Sequence, residues 1–152
     1  MEKVKTIYSM AEAAEAGSFL VGGKGYNLGR LTRYSFPVPK GFILSTRAYS
    51  LFLEENNLQQ SLDKVIEKLS QNNLEDELIE QELAVIREKI QQGILPEHIH
   101  NELSQVLINL DLAEIPLAIR SSASMEDSRS ASFAGIHESF LNVTGLSSPV
   151  LK

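Results

Sequence analysis

The residues best suited to chemistry lie between positions 117 and 143. Arg120 follows three apolar residues and precedes a long loop of serine, alanine and glycine. Small side chains leave backbone N–H groups accessible, and a guanidinium beside them can bind a phosphate through two parallel hydrogen bonds. Phe133, in the middle of this loop, indicates that the loop packs onto another part of the protein. The pattern is typical of an anion-binding loop, although a flexible serine-rich connection has the same composition.

A second candidate is Lys24, which lies in the glycine-rich sequence of residues 22–25. Apolar residues 19–21 precede it and predict a short strand, while Leu28 and Leu31 predict a following helix with an apolar face. A strand, a glycine-rich turn, a lysine and a helix form the outline of a phosphate-binding arrangement. The GxxxxGK[ST] pattern is absent, and Gly-Gly-Lys is also common in ordinary turns.

The distribution of charge favours an anionic ligand near Lys24. The chain carries a net charge of −6, and residues 54–89, with ten acids and four bases, account for all of it. Residues 16–53 contain five cations and no acid. An anion is drawn to such a stretch, although five scattered cations can equally decorate a surface. Polymeric nucleic acid is disfavoured, because the basic residues do not cluster with aromatic residues on one element.

Length and composition predict a single packed domain. The 152 residues are enough for one hydrophobic core, and the absence of cysteine excludes disulfides and thiol chemistry. Neither a secretory apolar segment nor a run long enough to span a membrane is evident. We therefore expect a cytoplasmic protein that does not bind membranes.

The spacing of apolar residues predicts an α+β fold in which a small, mostly antiparallel sheet packs with several helices. Strands are expected at residues 5–10 and 41–44, and a buried strand at 117–119 is expected to pair with 140–143. Ser45 or Thr46 is expected to cap a helix that Asn56-Asn57 ends, and a helical turn is expected at residues 11–16. Three further stripes of apolar residues indicate helices between positions 54 and 112: residues 62, 65, 66 and 69; residues 79, 83, 86 and 90, stopped by Gly93; and residues 99, 103, 106, 107 and 110 after Pro96. These stripes are expected to form core, and a docking surface for another domain is the alternative.

The histidines are weak candidates for chemistry. His98 and His100 are two residues apart, so a helix directs them to different faces and a metal pair is not expected. His137 follows the small-residue loop and is a possible ligand contact.

Two blocks of sequence resemble one enzyme family. RSSASMEDSRSASFAG followed by HESFLNVTG resembles the nucleotide-binding segment of the phosphoenolpyruvate synthase, pyruvate phosphate dikinase and rifampicin phosphotransferase group. GGKGYNLGRL and FPVPKGFILSTRAYSLFL resemble the start of the same domain. The blocks occur in the expected order and cover 53 of the 152 residues. Ser128-Arg129 replaces a frequent Leu-Pro, which is expected to loosen the loop, and His137 replaces a frequent glutamine, which changes a hydrogen-bonding partner.

The resemblance implies the first lobe of an ATP-grasp nucleotide site, in which ATP lies between two lobes. It implies that Lys24 and Arg120 contact ATP phosphates, that Gly135 lets the backbone approach the nucleotide, and that Ser139 stands where a threonine often contacts ATP. Ser121 and Ser122 are further expected loop donors. It gives no catalytic residue and no metal ligand in this chain, because the second lobe supplies the ligands for Mg²⁺ and a separate domain supplies the phosphorylated histidine.

We therefore expect residues 1–152 to form a partial ATP-binding domain that lacks the second lobe and the phosphohistidine domain. The expected function is the nucleotide-binding half of a phosphotransferase that moves phosphate from ATP through histidine to pyruvate or a similar acceptor. Its expected partners are ATP and the remaining domains of the enzyme. The isolated chain is expected to have no turnover and to bind ATP weakly or not at all. A fragment of an antibiotic kinase of the rifampicin type and a non-catalytic interaction module are the alternatives.

Overall fold

The computed structural model describes residues 4–69, 77–122 and 139–145. They form six helices and four short strands, which confirms the α+β class. The strands make two separate antiparallel pairs, β1 with β2 and β3 with β4. In chain order the elements are β1 (Ile7–Ser9), α1 (Met10–Ala16), α2 (Ser18–Arg33), β2 (Phe42–Leu44), α3 (Thr46–Glu55), α4 (Gln59–Lys68), α5 (Glu77–Gln92), α6 (Glu97–Asn109), β3 (Leu117–Arg120) and β4 (Ser139–Val143).

The chain divides into two compact units. The first contains the described parts of residues 1–48 and 97–152, and the second contains those of residues 49–96. Helix α3 begins in the first unit and ends in the second, and α6 belongs to the first. The helical segment predicted between positions 54 and 112 is therefore shared between the two units.

Helix α1 begins with a capping box and packs closely on α2. The hydroxyl of Ser9 accepts a hydrogen bond from the Glu12 N–H, and the Glu12 carboxylate accepts one from the Ser9 N–H. The ion pair with Lys5 and these hydrogen bonds lower the pKa of Glu12 to about 2. A methyl group at Gly29 of α2 would lie 2.5 Å from the Ala14 nitrogen, so the two helices meet where neither has a bulky side chain.

The strand predicted at residues 19–21 is wrong. These residues form the opening turn of α2, in which the N–H groups of Leu20 and Val21 donate to the Gly17 carbonyl over 3.1 and 3.2 Å. The helix is kinked at Gly22, whose φ of 69° and ψ of 167° are not helical. A run of three apolar residues cannot distinguish a strand from one helical turn, and Phe19 is 79% exposed.

Strands β3 and β4 pair as predicted, but most of their residues are not buried. Leu117 and Ile119 are half-buried while Ala118 and Arg120 are exposed, and within β4 only Val143 is buried. The register shifts by one residue between Leu117 and Ile119. Asn142, with φ at 58°, lies opposite this shift and marks a β-bulge.

Helix α6 supplies core residues to the first unit. Ile99, Leu103 and Leu107 are buried on one face, as their spacing predicted. The turn that follows is closed by a hydrogen bond of 2.8 Å from the Leu112 N–H to the Leu107 carbonyl. His98 and His100 lie exposed in the first turn of α6.

The second unit contains α4, α5 and the end of α3. Val65, Ile79 and Ile86 are buried, whereas Ile66, also expected in the core, is 54% exposed. The Asn56 side chain joins the end of α3 to the loop after α5. Its amide nitrogen donates to the carbonyls of Phe52 (2.8 Å) and Ile94 (2.9 Å), and its oxygen accepts from the Ile94 N–H (2.8 Å).

None of the helices in the described part of the chain is both long and apolar enough to cross a membrane.

Candidate functional site

The first element of the site is the edge of the β3–β4 pair. Arg120 is the last residue of β3 and is paired in register with Ser139, the first residue of β4. Directly paired residues of an antiparallel ladder project to the same face with their Cβ atoms about 5 Å apart. Both residues are exposed. The pairing therefore presents a guanidinium and a hydroxyl side by side to solvent.

The second element is the start of the helical segment that resumes after the kink in α2. The Lys24 ammonium group donates a hydrogen bond of 2.9 Å to the carbonyl oxygen of Ser121. The Lys24 N–H donates to the Ser122 hydroxyl over 3.0 Å, and the Gly25 N–H donates to the same oxygen over 3.4 Å. Lys24 thus lies against the two residues that directly follow Arg120, although 96 positions separate the two cations in the sequence.

Gly22 makes this close approach possible. A Cβ atom at Gly22 would lie 2.6 Å from the Ser122 carbonyl oxygen and 2.7 Å from the Ser122 Cβ, far closer than any real side chain allows. Its positive φ also belongs to a region that residues with a side chain rarely adopt. Glycine is required here by both backbone conformation and packing.

The arrangement suits the binding of an anion. It combines a guanidinium, an ammonium and serine hydroxyls, all of which donate hydrogen bonds to oxyanions. Among the described residues, no group of three or more histidine, aspartate or glutamate side chains could hold a metal ion. The chemistry that these groups offer is the positioning of negative charge.

Five of the six residues predicted for the site lie together in the first unit: Lys24, Arg120, Ser121, Ser122 and Ser139. The sixth, Gly135, lies outside the described residues, as do Ser128, Arg129, Phe133 and His137. The sequence reasoning missed the contact of Gly22 with Ser122. The two consecutive glycines at 22 and 23 were a signal in the sequence. Nothing in the sequence indicated that Ser122, about one hundred residues away, is the residue that Gly22 contacts.

Comparison with known proteins identifies relatives. Residues 18–150 match the family model described as "Pyruvate phosphate dikinase, AMP/ATP-binding domain". A probable phosphoenolpyruvate synthase of Methanothermobacter thermautotrophicus is 34% identical over 149 residues, which cover 93% of this chain and 21% of that protein. A phosphoenolpyruvate synthase of Neisseria meningitidis is 38% identical over 83% of this chain and 17% of its own length. An uncharacterized phosphotransferase of Bacillus subtilis, YvkC, is 35% identical over 86% of this chain and 13% of its own length. The chain thus spans about a fifth or less of these relatives.

Proposed function

The chain belongs to the pyruvate phosphate dikinase AMP/ATP-binding domain family, and on that basis we propose that it provides the phosphate-binding part of an ATP site in a phosphoenolpyruvate synthase-like phosphotransferase. The relatives named phosphoenolpyruvate synthase support pyruvate as the acceptor over an antibiotic.

The observation that carries the proposal is the contact of Lys24 with Ser121 and Ser122, the residues that follow Arg120. Two cations from distant parts of the sequence adjoin the same short segment, and the β-pairing adds Ser139 beside Arg120. In this proposal Lys24 and Arg120 contact the phosphates, and Ser139 contacts the nucleotide. Ser121 and Ser122 are further contacts, and Gly135 lets the backbone approach.

Phosphoryl transfer depends mainly on positioning and on the stabilisation of negative charge. Lys24 provides a compact charge on a flexible stem, whereas the planar Arg120 guanidinium can bind two phosphate oxygens at once. The described residues of this site hold and orient an anion without supplying a nucleophile. When Mg²⁺ accompanies ATP, it neutralises phosphate charge, and we place its ligands in the second lobe of an ATP-grasp site.

The remaining steps belong to other parts of the proposed enzyme. A histidine in a separate domain would receive phosphate and pass it to pyruvate, and the enzyme would work in the cytoplasm. A single lobe leaves one side of the nucleotide in water, where ionic contacts are weak. We therefore expect this chain alone to show no turnover and to bind ATP only in the millimolar range.

The proposal can be tested by NMR. Mg·ATP added to the ¹⁵N-labelled chain at up to about 10 mM, a concentration that detects binding of roughly −4 kcal/mol, should shift the amides of Lys24, Arg120 and Ser121. Lys24→Ala should weaken this response about tenfold or more, because a charged hydrogen bond contributes about 1.5–3 kcal/mol.

The matched control is Lys89→Ala, which removes an exposed cation from α5 in the second unit. It should leave the response unchanged. An absent response at that concentration, shifts scattered over all surface cations, or equal effects of the two substitutions would contradict the proposal.

A further inference from the structure

The Ser122 hydroxyl has structural partners that its place in a serine-rich sequence does not reveal. Its oxygen accepts hydrogen bonds from the N–H groups of Lys24 and Gly25, 98 and 97 residues away in sequence. These two residues lie in the first turn of the helical segment that resumes after Gly22. The first turn of a helix exposes N–H groups for which the helix has no carbonyl partner.

We propose that Ser122 is a positioning residue of the phosphate site, which caps the resumed segment of α2 from a distant part of the chain and thereby holds Lys24 against the residues that follow Arg120. The predicted effect of Ser122 on nucleotide binding rests on the proposed function, whereas the capping role does not. A serine hydroxyl that accepts from the first N–H groups of a helix is the usual N-cap interaction. Here the cap comes from a residue two positions after β3 instead of from the residue that precedes the helix.

The Ser122 contact differs from the contact between Lys24 and Ser121 in one important respect. The Ser121 contact uses the Lys24 ammonium, which donates to the Ser121 carbonyl. A bound phosphate would compete for that ammonium, so this contact weakens when the ligand arrives. The Ser122 bonds use backbone N–H groups. They can therefore persist while the Lys24 side chain turns to its ligand.

This role differs from that of a loop donor. In the bonds to Lys24 and Gly25 the Ser122 oxygen is the acceptor. Threonine preserves this acceptor and alanine removes it. Ser121 provides a matched control, because its contact with Lys24 is made through the backbone carbonyl, which alanine retains.

The first measurement needs no nucleotide. Amide hydrogen exchange of the whole chain, followed by NMR, should be about fivefold faster at Lys24 and Gly25 in Ser122→Ala, since loss of an N-cap costs about 1 kcal/mol. Ser122→Thr should restore slow exchange. Ser121→Ala should keep the wild-type rates, and so should the Leu112 amide in every variant. Wild-type exchange at Lys24 and Gly25 in Ser122→Ala would overturn the inference.

The second measurement is the Mg·ATP titration described above. If Ser122 positions Lys24, Ser122→Ala should weaken the response severalfold and Ser122→Thr should recover it. If Lys24→Ala abolishes the response while Ser122→Ala leaves it unchanged, the positioning role is wrong and the proposed function stands. If Lys24→Ala responds like the wild type, the proposed function fails, and the exchange rates still decide whether Ser122 is a cap.

Discussion

The substitution Gly22→Ala tests whether the kink in α2 and Ser122, two residues after β3, meet as closely as the structure shows. Gly22 has φ of 69° and ψ of 167°, and an added Cβ would lie 2.6 Å from the Ser122 carbonyl oxygen. The substitution therefore has two destabilising effects, a backbone conformation that alanine disfavours and a steric overlap with Ser122. Both raise the free energy of the folded state.

The size of the destabilisation follows from these two effects. A residue with a side chain in this backbone region costs about 1–3 kcal/mol. Overlap in a packed site that cannot relax adds about 1–3 kcal/mol. Alanine recovers about 0.4–1 kcal/mol by restricting the unfolded chain. We expect Gly22→Ala to lower the free energy of unfolding by about 1–5 kcal/mol, compared with the 5–15 kcal/mol typical of a domain.

Gly17→Ala distinguishes the backbone strain from the steric overlap. Gly17 has nearly the same backbone conformation, with φ of 82° and ψ of 156°, but an added Cβ there would meet no atom within 4 Å. Urea unfolding followed by circular dichroism should show that Gly17→Ala costs only the backbone part. The midpoint should fall further in Gly22→Ala, by the equivalent of about 1–3 kcal/mol, with an unchanged m-value. Equal destabilisation of the two variants would refute the close contact with Ser122, and with it the geometry of the site.

Two other predictions concern stability away from the site. Asn56→Ala should lower the free energy of unfolding by about 2–3 kcal/mol in urea, because it removes three hydrogen bonds of 2.8–2.9 Å, two of them to Ile94. Asn109→Ala, which removes a hydrogen bond to an exposed side chain, should cost less than about 0.5 kcal/mol. Equal destabilisation by Asn56→Ala and Asn109→Ala would contradict this account. The pKa of Glu12, lowered from 4.5 to about 2 mainly by its hydrogen bond to Lys5, predicts a contribution to stability that is complete above pH 4.5 and lost as the pH falls toward 2. Thermal unfolding measured across that pH range should show a smaller loss of stability in Glu12→Gln than in the wild type. Parallel plots of stability against pH for the two proteins would contradict this role of Glu12.

Local structure could be predicted wherever one segment contains its own signal. The spacing of Ile99, Leu103 and Leu107 indicated α6, and Pro96 and Gly93 marked the boundaries of neighbouring helices. The strand predicted at residues 19–21 was wrong because one turn of helix and a short strand can have the same apolar run. What decides between them is the Gly17 carbonyl, which accepts the N–H groups of the turn.

The site could be predicted only in part. Residue types identified Lys24 and Arg120 as candidates, and the family resemblance placed them in one site. Neither source revealed how the two segments are joined. The contact between the two segments depends on the absence of a side chain at Gly22 and on the hydrogen bonds that the Ser122 oxygen accepts. It is a tertiary contact. Hydrophobic periodicity carries no information about such a contact.

The overall charge of this protein is a poor guide to its ligand. Residues 49–96, the second unit, carry the whole net charge of −6, so acids and bases cancel in the residues assigned to the first. The long-range repulsion expected from an acidic protein is screened beyond about 10 Å at 0.1 M salt. We therefore expect nearby cations and hydroxyl groups to influence the binding of an anion more than the net charge does. The separation of charge leaves Lys24 and Arg120 in the part of the sequence where negative charge is not in excess, which is where an anion site meets the least opposition.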